Sequence, residues 1–96
     1  MKVVLSRLAL AELDGILAYI AERSPAGARN VEARFRHAFE LIGRYPEAAE
    51  RLEQRAEVRR LPLGRYPYAV YYEVGRDEVT VLRIMHGARR QPWDEG

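Results

Sequence analysis

The sequence predicts an α+β domain in which helices and strands follow the order β-α-α-β-β-β. Apolar residues recur every three or four positions in the first half of the chain, and tyrosine and β-branched residues alternate in its last third. A very short link between the two helical segments predicts an N-terminal helical hairpin. We therefore expect one antiparallel sheet with the hairpin packed on one of its faces.

The chain has 96 residues, which is the size of one domain, 1–96, with a single core. Since it contains no cysteine, disulfides and thiolate chemistry are excluded. No apolar run is long enough to cross a bilayer, and the opening residues lack the apolar segment of a signal peptide. We therefore expect a cytoplasmic protein.

The first half of the chain predicts one short strand and the two helices. Residues 2 to 6 alternate weakly and read as a strand, and Ser6 can cap the helix that follows. Apolar residues at helical spacing predict helices from Arg7 to Arg23 and from Pro25 to Arg44. Ser24-Pro25 separates them, because a proline disfavours the helical conformation in the residue before it. Residues 46 to 56 are polar and predict a loop.

The second half of the chain predicts three strands: Val58 to Leu61, Tyr66 to Val74 and Val79 to Met85. Strict alternation would place Tyr68, Val70, Tyr72 and Val74 on one face of the sheet, together with Leu82, Ile84 and His86. The opposite face would then carry Ala69, Tyr71, Glu73, Val81, Arg83 and Met85. Since this second face holds Glu73 and Arg83, we expect it to be open, and we expect the hairpin to cover the first.

Positive charge is concentrated in the half of the chain that forms the sheet. Residues 1 to 54 carry eight basic and eight acidic side chains, whereas residues 55 to 90 carry eight arginines against four acidic side chains. Two interpretations of the open face follow. Arg59 or Arg60, Arg83, Arg89 and Arg90, with Tyr71 beside them, could grip a nucleic-acid backbone, or they could pair with acidic residues of a protein partner.

His86 and Trp93 are the other candidates for a functional role. His86 could act as a general acid or base, but no Ser, Cys or Asp at a recognisable spacing supports it, and strand alternation favours a structural histidine. His37 lies off the apolar stripe of the second helix and is expected at the surface. Trp93 lies in a polar tail and could close the core or anchor a partner. Neither a cofactor nor a metal site is expected.

Several segments, taken in order, resemble one known family. They are Leu13 to Ala21 in the first helix, Pro46, Val58-Arg59-Arg60-Leu61, Tyr68-Ala69-Val70-Tyr71-Tyr72 and Val81 to Arg89. In this order and spacing, the chain resembles the RelE/ParE superfamily of type II toxin–antitoxin toxins, and more closely its ParE-like branch. The resemblance covers nearly the whole chain and implies the same fold.

The resemblance implies a bacterial growth-inhibiting toxin that a ParD-like, ribbon-helix-helix antitoxin neutralises. ParE-like members poison DNA gyrase, whereas RelE-like members are ribosome-dependent mRNA endonucleases. The chain departs from the endonuclease pattern, because Ala69 stands where those enzymes have an arginine of the third strand, and no lysine follows Lys2. Only Arg89 matches. We therefore expect a gyrase-binding toxin rather than an enzyme, without a membrane partner and without sequence-specific DNA binding of its own.

The two alternative functions imply different site residues. For the gyrase-binding toxin we expect contact with the target through Arg83, Arg89, Arg90 and Trp93. We expect contact with the antitoxin through Arg59, Arg60, Tyr71 and Arg83. If the chain were an endonuclease instead, its catalytic residues would be Arg59, Arg60, His86 and Arg89.

Overall fold

The computed structural model describes residues 1–87 and contains two helices and five strands. In chain order these elements are β1 (Lys2–Leu5), α1 (Arg7–Arg23), α2 (Pro25–Arg44), β2 (Glu50–Arg51), β3 (Arg59–Pro62), β4 (Tyr68–Val74) and β5 (Glu78–His86). The predicted α+β class is confirmed, and both helices begin and end at the predicted residues. One short strand, β2, is added in the segment that was predicted to be a loop.

The five strands form one sheet in the order β1-β5-β4-β3-β2. The sheet is mixed rather than wholly antiparallel as predicted, because β1 pairs with β5 in parallel, with Leu5 opposite Val81. The other neighbouring pairs are antiparallel. Tight connections impose opposite directions on consecutive strands, but β1 and β5 are separated by the rest of the chain, so no turn constrains their relative direction.

Two serines set the limits of the helical hairpin. The Ser6 hydroxyl accepts a hydrogen bond from the Ala9 N–H at 3.0 Å and so caps the start of α1. Ser24 ends α1 by donating its N–H to the Ile20 carbonyl at 2.8 Å, and its hydroxyl accepts from the Gly27 N–H at 2.9 Å to begin α2. A single residue therefore caps both helices, with Pro25 suited to the first position of α2.

The main core lies between the hairpin and the sheet. From α2 it takes Val31, Phe35, Ala38 and Ile42, and from the strands it takes Val70, Tyr72, Val79, Val81 and Ile84, all buried. Only Ala9 of α1 is fully buried, whereas its other apolar residues are half-buried or exposed. The hairpin therefore covers one face of the sheet as predicted, with α2 contributing most of the buried surface.

The opposite face of the sheet was expected to be open, and this prediction is wrong. Val58, Ala69, Tyr71 and Met85 form a second cluster there, against which Leu52 and Leu82 pack. Ala69 and Tyr71 are fully buried. The segment that leads into β3 turns back on itself, since the Leu52 N–H donates to the Val58 carbonyl at 2.9 Å. The apolar residues of this segment therefore reach the sheet.

A β-bulge in β5 explains why strict alternation failed. Tyr71 lies opposite Arg83 while Tyr72 lies opposite Val81, so Leu82 is one residue too many for the partner strand. Val81 consequently faces the hairpin instead of the opposite face, and Leu82 packs on the second cluster instead of beneath the helices. Ile84, which follows the bulge, lies in the main core as predicted.

A substitution at Gly43 tests how closely α2 approaches the first residues of the chain. A Cβ atom at Gly43 would lie 2.9 Å from the Met1 carbonyl oxygen and 3.1 Å from Val3 Cγ2. We expect Gly43→Ala to lower the free energy of unfolding by about 1–3 kcal/mol, because the backbone of the first strand would have to move. Urea unfolding of the purified chain measures the change.

Gly15→Ala provides the matched control in the other helix. A Cβ atom there would meet nothing within 4 Å, so alanine should raise the free energy of unfolding by about 0.5–1 kcal/mol through helix propensity alone. Equal unfolding midpoints for the two alanine variants would contradict this account of the α2–β1 contact.

Candidate functional site between the first helix and the last strand

A cleft of about 650 Å³ opens between α1 and the C-terminal half of β5. Its walls come from one face of α1, from the start of β4 and from the residues of β5 that follow the bulge. The lining residues are Glu12, Gly15, Ile16, Tyr19, Tyr68 and Arg83 to His86. This is a concave surface of mixed polar and aromatic character, which is typical of binding sites.

The cleft exists because β1 is too short to cover the whole length of β5. Strand pairing between them ends at Leu5 and Val81. From there the chain enters α1, and Ser6 makes the last contacts: its N–H donates to the Val81 carbonyl at 2.9 Å and its hydroxyl donates to the Leu82 carbonyl at 3.0 Å. Beyond Leu82, a helix rather than a strand lies beside β5.

Glu12 takes over the edge of β5 where β1 has ended. Its Oε1 accepts a hydrogen bond from the Ile84 backbone N–H at 2.8 Å. Its Oε2 accepts from Arg83 Nε at 3.0 Å and from Arg83 Nη2 at 2.6 Å. The side chains of Arg83 and Glu12 are only 23% and 19% exposed, so this charged pair is less screened by water than an ion pair at the surface. Arg83 Nη1 takes no part in the pair.

Aromatic side chains form the rest of the cleft. Tyr19 is 58% exposed, and the Arg23 guanidinium lies 3.8 Å from the centroid of its ring. Across the cleft, the Tyr68 and His86 rings meet edge to face at 5.8 Å. His86 shares the face of Tyr68 and Ile84, as predicted, but it lies at the exposed end of the strand rather than in the core.

Arg59 stabilises the loop after α2. Its Nη1 donates to the Glu47 and Ala49 carbonyls at 2.9 and 2.7 Å. The Tyr72 hydroxyl, fully buried with its ring, donates to the Pro46 carbonyl at 2.8 Å in the same loop. Arg59 and Tyr72 lie opposite each other on neighbouring strands, so both act on the hairpin side of the sheet.

Arg60 lies on the other face of the sheet. Its Nε donates to the Tyr71 hydroxyl at 3.0 Å, and its Nη2 comes within 3.5 Å of where a side chain on Gly87 would begin. Tyr71 is fully buried, so its ring offers no surface to a partner in this conformation. Arg60 therefore reaches along the second cluster toward the end of β5.

The residues predicted for a common basic surface are distributed over three places. Arg59 contacts the loop after α2, Arg60 contacts Tyr71, and Arg83 contacts Glu12. Arg89, Arg90 and Trp93 lie outside the described residues. His37 is exposed, as predicted.

Sequence reasoning missed Glu12 and Gly15. Glu12 was given no role in the sequence analysis, although it lies one turn before the apolar Ile16 and so at the border of the apolar side of α1. That position is the one signal that could have indicated a carboxylate directed at the sheet.

Within residues 1–87, no group of three histidine, aspartate or glutamate side chains is arranged to hold a metal ion. In the same part of the chain, neither helix has the length and apolar character needed to cross a membrane.

Comparison with known proteins relates this architecture to one family. Residues 3–91 match the family model described as ParE toxin of type II toxin–antitoxin system, parDE. Y4kP of Sinorhizobium fredii, a candidate toxin by its name, is 37% identical over 84 residues, which are 88% of this chain and 85% of that protein. Toxin RelE2 of Caulobacter vibrioides is 36% identical over 88 residues, or 92% and 97% of the two chains.

A solved structure supports the same relationship. A chain of the chromosomal ParDE toxin–antitoxin system from P. aeruginosa superposes with a TM-score of 0.76 at 25% sequence identity. The match covers 90% of this chain and 95% of that chain, so the two share the whole architecture of helical hairpin and sheet.

The contacts of Glu12 predict that its removal lowers stability much more than removal of an exposed glutamate does. Glu12→Ala should lower the free energy of unfolding by about 2 kcal/mol, because the Ile84 N–H and the Arg83 guanidinium lose a charged acceptor. Glu12→Gln keeps an acceptor for Ile84 and should cost less. Glu22→Ala is the control: Glu22 is 78% exposed and lies 3.9 Å from Arg23, so its loss should change stability by less than about 0.5 kcal/mol. Equal urea midpoints for Glu12→Ala and Glu22→Ala would contradict the assignment.

Tyr72 predicts a pH dependence of stability. Burial raises the pKa of Tyr72 above its ordinary value of 10.0, against smaller lowering effects of the Ala49 backbone and then of the nearby Arg59 charge. The unfolded chain therefore loses this proton at a lower pH than the folded chain, so the stability that Tyr72 contributes is present below about pH 10 and is lost as the pH rises further.

Tyr72→Phe separates the two effects of the hydroxyl. At neutral pH the variant should be less stable by about 1 kcal/mol, because the hydrogen bond to the Pro46 carbonyl is lost. Between about pH 9 and about pH 11, the difference in unfolding free energy between the wild type and the variant should shrink. A difference that stays constant over this range would refute the prediction.

Proposed function

The chain belongs to the ParE family of type II toxin–antitoxin toxins, and from that premise we propose that it inhibits growth by binding and poisoning DNA gyrase. We further propose that a ParD-like antitoxin, with a ribbon-helix-helix domain and a segment that wraps the toxin, neutralises it. In this function the toxin acts by binding a protein and carries out no bond cleavage of its own.

The surroundings of Ala69 support binding over catalysis. Cleavage of a phosphodiester requires a base for the attacking hydroxyl, charge stabilisation at phosphorus and an acid for the leaving oxygen. Ala69 is fully buried between Pro62 and Met85 of the neighbouring strands, at the position where the RelE-like endonucleases that the chain resembles carry an arginine. The second face of the sheet therefore has an apolar cluster at that position.

The positions of the other endonuclease candidates agree with this reading. Arg59 is held by two backbone carbonyls on the hairpin side of the sheet, whereas Arg60 lies on the opposite side beside Tyr71. His86 contacts the Tyr68 ring edge to face at the far end of β5. The separation of Arg59 from Arg60 on opposite faces of the sheet supports binding rather than joint action on one phosphate.

We propose that gyrase contacts the segment that follows β5, through Arg89, Arg90 and Trp93. Arg83 contributes to this surface indirectly, because its pairing with Glu12 holds the end of β5 against α1. For the antitoxin we propose an acidic segment that pairs with arginines of the sheet, Arg60 and Arg83 among them, and that covers apolar surface of the hairpin.

The purified toxin should inhibit supercoiling by purified gyrase. The double substitution Arg89→Ala with Arg90→Ala should weaken inhibition about tenfold or more, since each substitution would remove a charged contact at the interface. Arg76→Ala is the matched control, because Arg76 lies in the turn between β4 and β5, at the other end of these strands. It should leave inhibition unchanged.

Two outcomes would overturn the proposal. Intact supercoiling together with cleavage of ribosome-bound message would identify the chain as an endonuclease and would direct mutagenesis to Arg59, Arg60, His86 and Arg89. Normal growth at high expression without the antitoxin would instead indicate an interaction module that has lost toxicity.

A further inference from the structure

Gly15 has no structural explanation within the described part of the chain. It lies in the interior of α1, where glycine is less favourable than alanine. A Cβ atom at Gly15 would meet nothing within 4 Å, whereas one at Gly43 would lie 2.9 Å from a backbone oxygen and one at Gly27 would lie 3.1 Å from Ser24 Oγ. Close packing accounts for those two glycines, and it does not account for Gly15.

The surroundings of Gly15 are those of a contact surface. Leu8, Ala11, Gly15 and Tyr19 follow one another at intervals of three, four and four residues, so they lie on one side of α1. All four are exposed, and Leu8 and Tyr19 are 51% and 58% exposed. These residues form an apolar stripe that borders the cleft, which Gly15 itself lines. An exposed apolar surface of this kind beside a groove is typical of a site for a protein partner.

The geometry of the cleft favours a helical partner over an extended one. A peptide could add to the free edge of β5 as a strand, but the Ile84 N–H on that edge already donates to Glu12, so strand addition would have to displace a charged hydrogen bond. A helix laid along the apolar stripe needs no such displacement, and it would present side chains at the same three- and four-residue spacing.

We propose that Gly15 is a specificity-determining residue for the antitoxin. A helix of the antitoxin lies along the stripe and inserts a bulky apolar side chain into the cleft directly over Gly15, where the missing side chain leaves room against the α1 backbone. An acidic residue of the same helix lies beside the Nη1 nitrogen of Arg83, which Glu12 does not use. The inference rests on the proposed neutralisation by an antitoxin and names the contact that makes it selective.

The test measures binding of the purified antitoxin encoded beside the toxin gene to variants of the full chain. Gly15→Leu should weaken the affinity about 10- to 100-fold, because its side chain would fill the space that the antitoxin needs. Gly15→Ala should weaken it less. Ala21→Leu is the matched control, because Ala21 is exposed on the same helix and does not line the cleft. It should bind within about twofold of the wild type.

Thermal unfolding shows whether a variant binds weakly only because it is misfolded. Both Gly15 variants should unfold at or above the wild-type temperature, because alanine and leucine favour the helix. Wild-type affinity in Gly15→Leu would overturn the role of Gly15 while leaving neutralisation by the antitoxin intact. Equal losses in Gly15→Leu and Ala21→Leu would also overturn it. Absence of binding by the wild-type chain would overturn the proposed neutralisation and this inference together.

Discussion

The carboxylate of Glu12 takes the place of a strand beside the C-terminal half of β5. The strand β1 ends at Leu5. Beyond it, Ser6 donates a hydrogen bond to the Leu82 carbonyl, and Glu12 accepts one from the Ile84 N–H. Because Glu12 also binds Arg83, one side chain joins the hairpin to the sheet at the point where the backbone ladder stops. The cleft lies at this junction, and both Glu12 and Arg83 line it.

The arginines of the sheet have mostly internal roles. Arg59 supports the loop after α2, Arg60 satisfies the hydroxyl of a buried tyrosine, and Arg83 holds the edge of the last strand. Each guanidinium offers several donors in a fixed plane, so one group can satisfy an internal acceptor and still have a nitrogen to offer a partner. Three of the arginines in this half of the chain therefore have partners within the fold.

Local patterns in the sequence predicted the helices, the hairpin and the order of the elements, because Ser6, Ser24 and Pro25 act on their immediate neighbours. They could not predict the direction of β1, since no turn joins it to β5. They also missed the bulge at Leu82, because one additional residue leaves the composition of a strand unchanged while exchanging the faces of Val81 and Leu82. The pairing of Glu12 with Arg83 could not be predicted because 71 positions separate the two residues, and local patterns do not relate side chains so far apart in the chain.

The shared cap at Ser24 has a consequence for how such a chain can change in evolution. Since one residue ends α1 and begins α2, an inserted residue would separate the two capping bonds and rotate one helix against the other. The segment between α2 and β3 contacts the sheet through β2, through Leu52 and through hydrogen bonds from Arg59 and Tyr72, and none of these contacts fixes the length of either helix. Insertions and deletions among homologues are therefore expected to accumulate there, while the length of the hairpin stays constant.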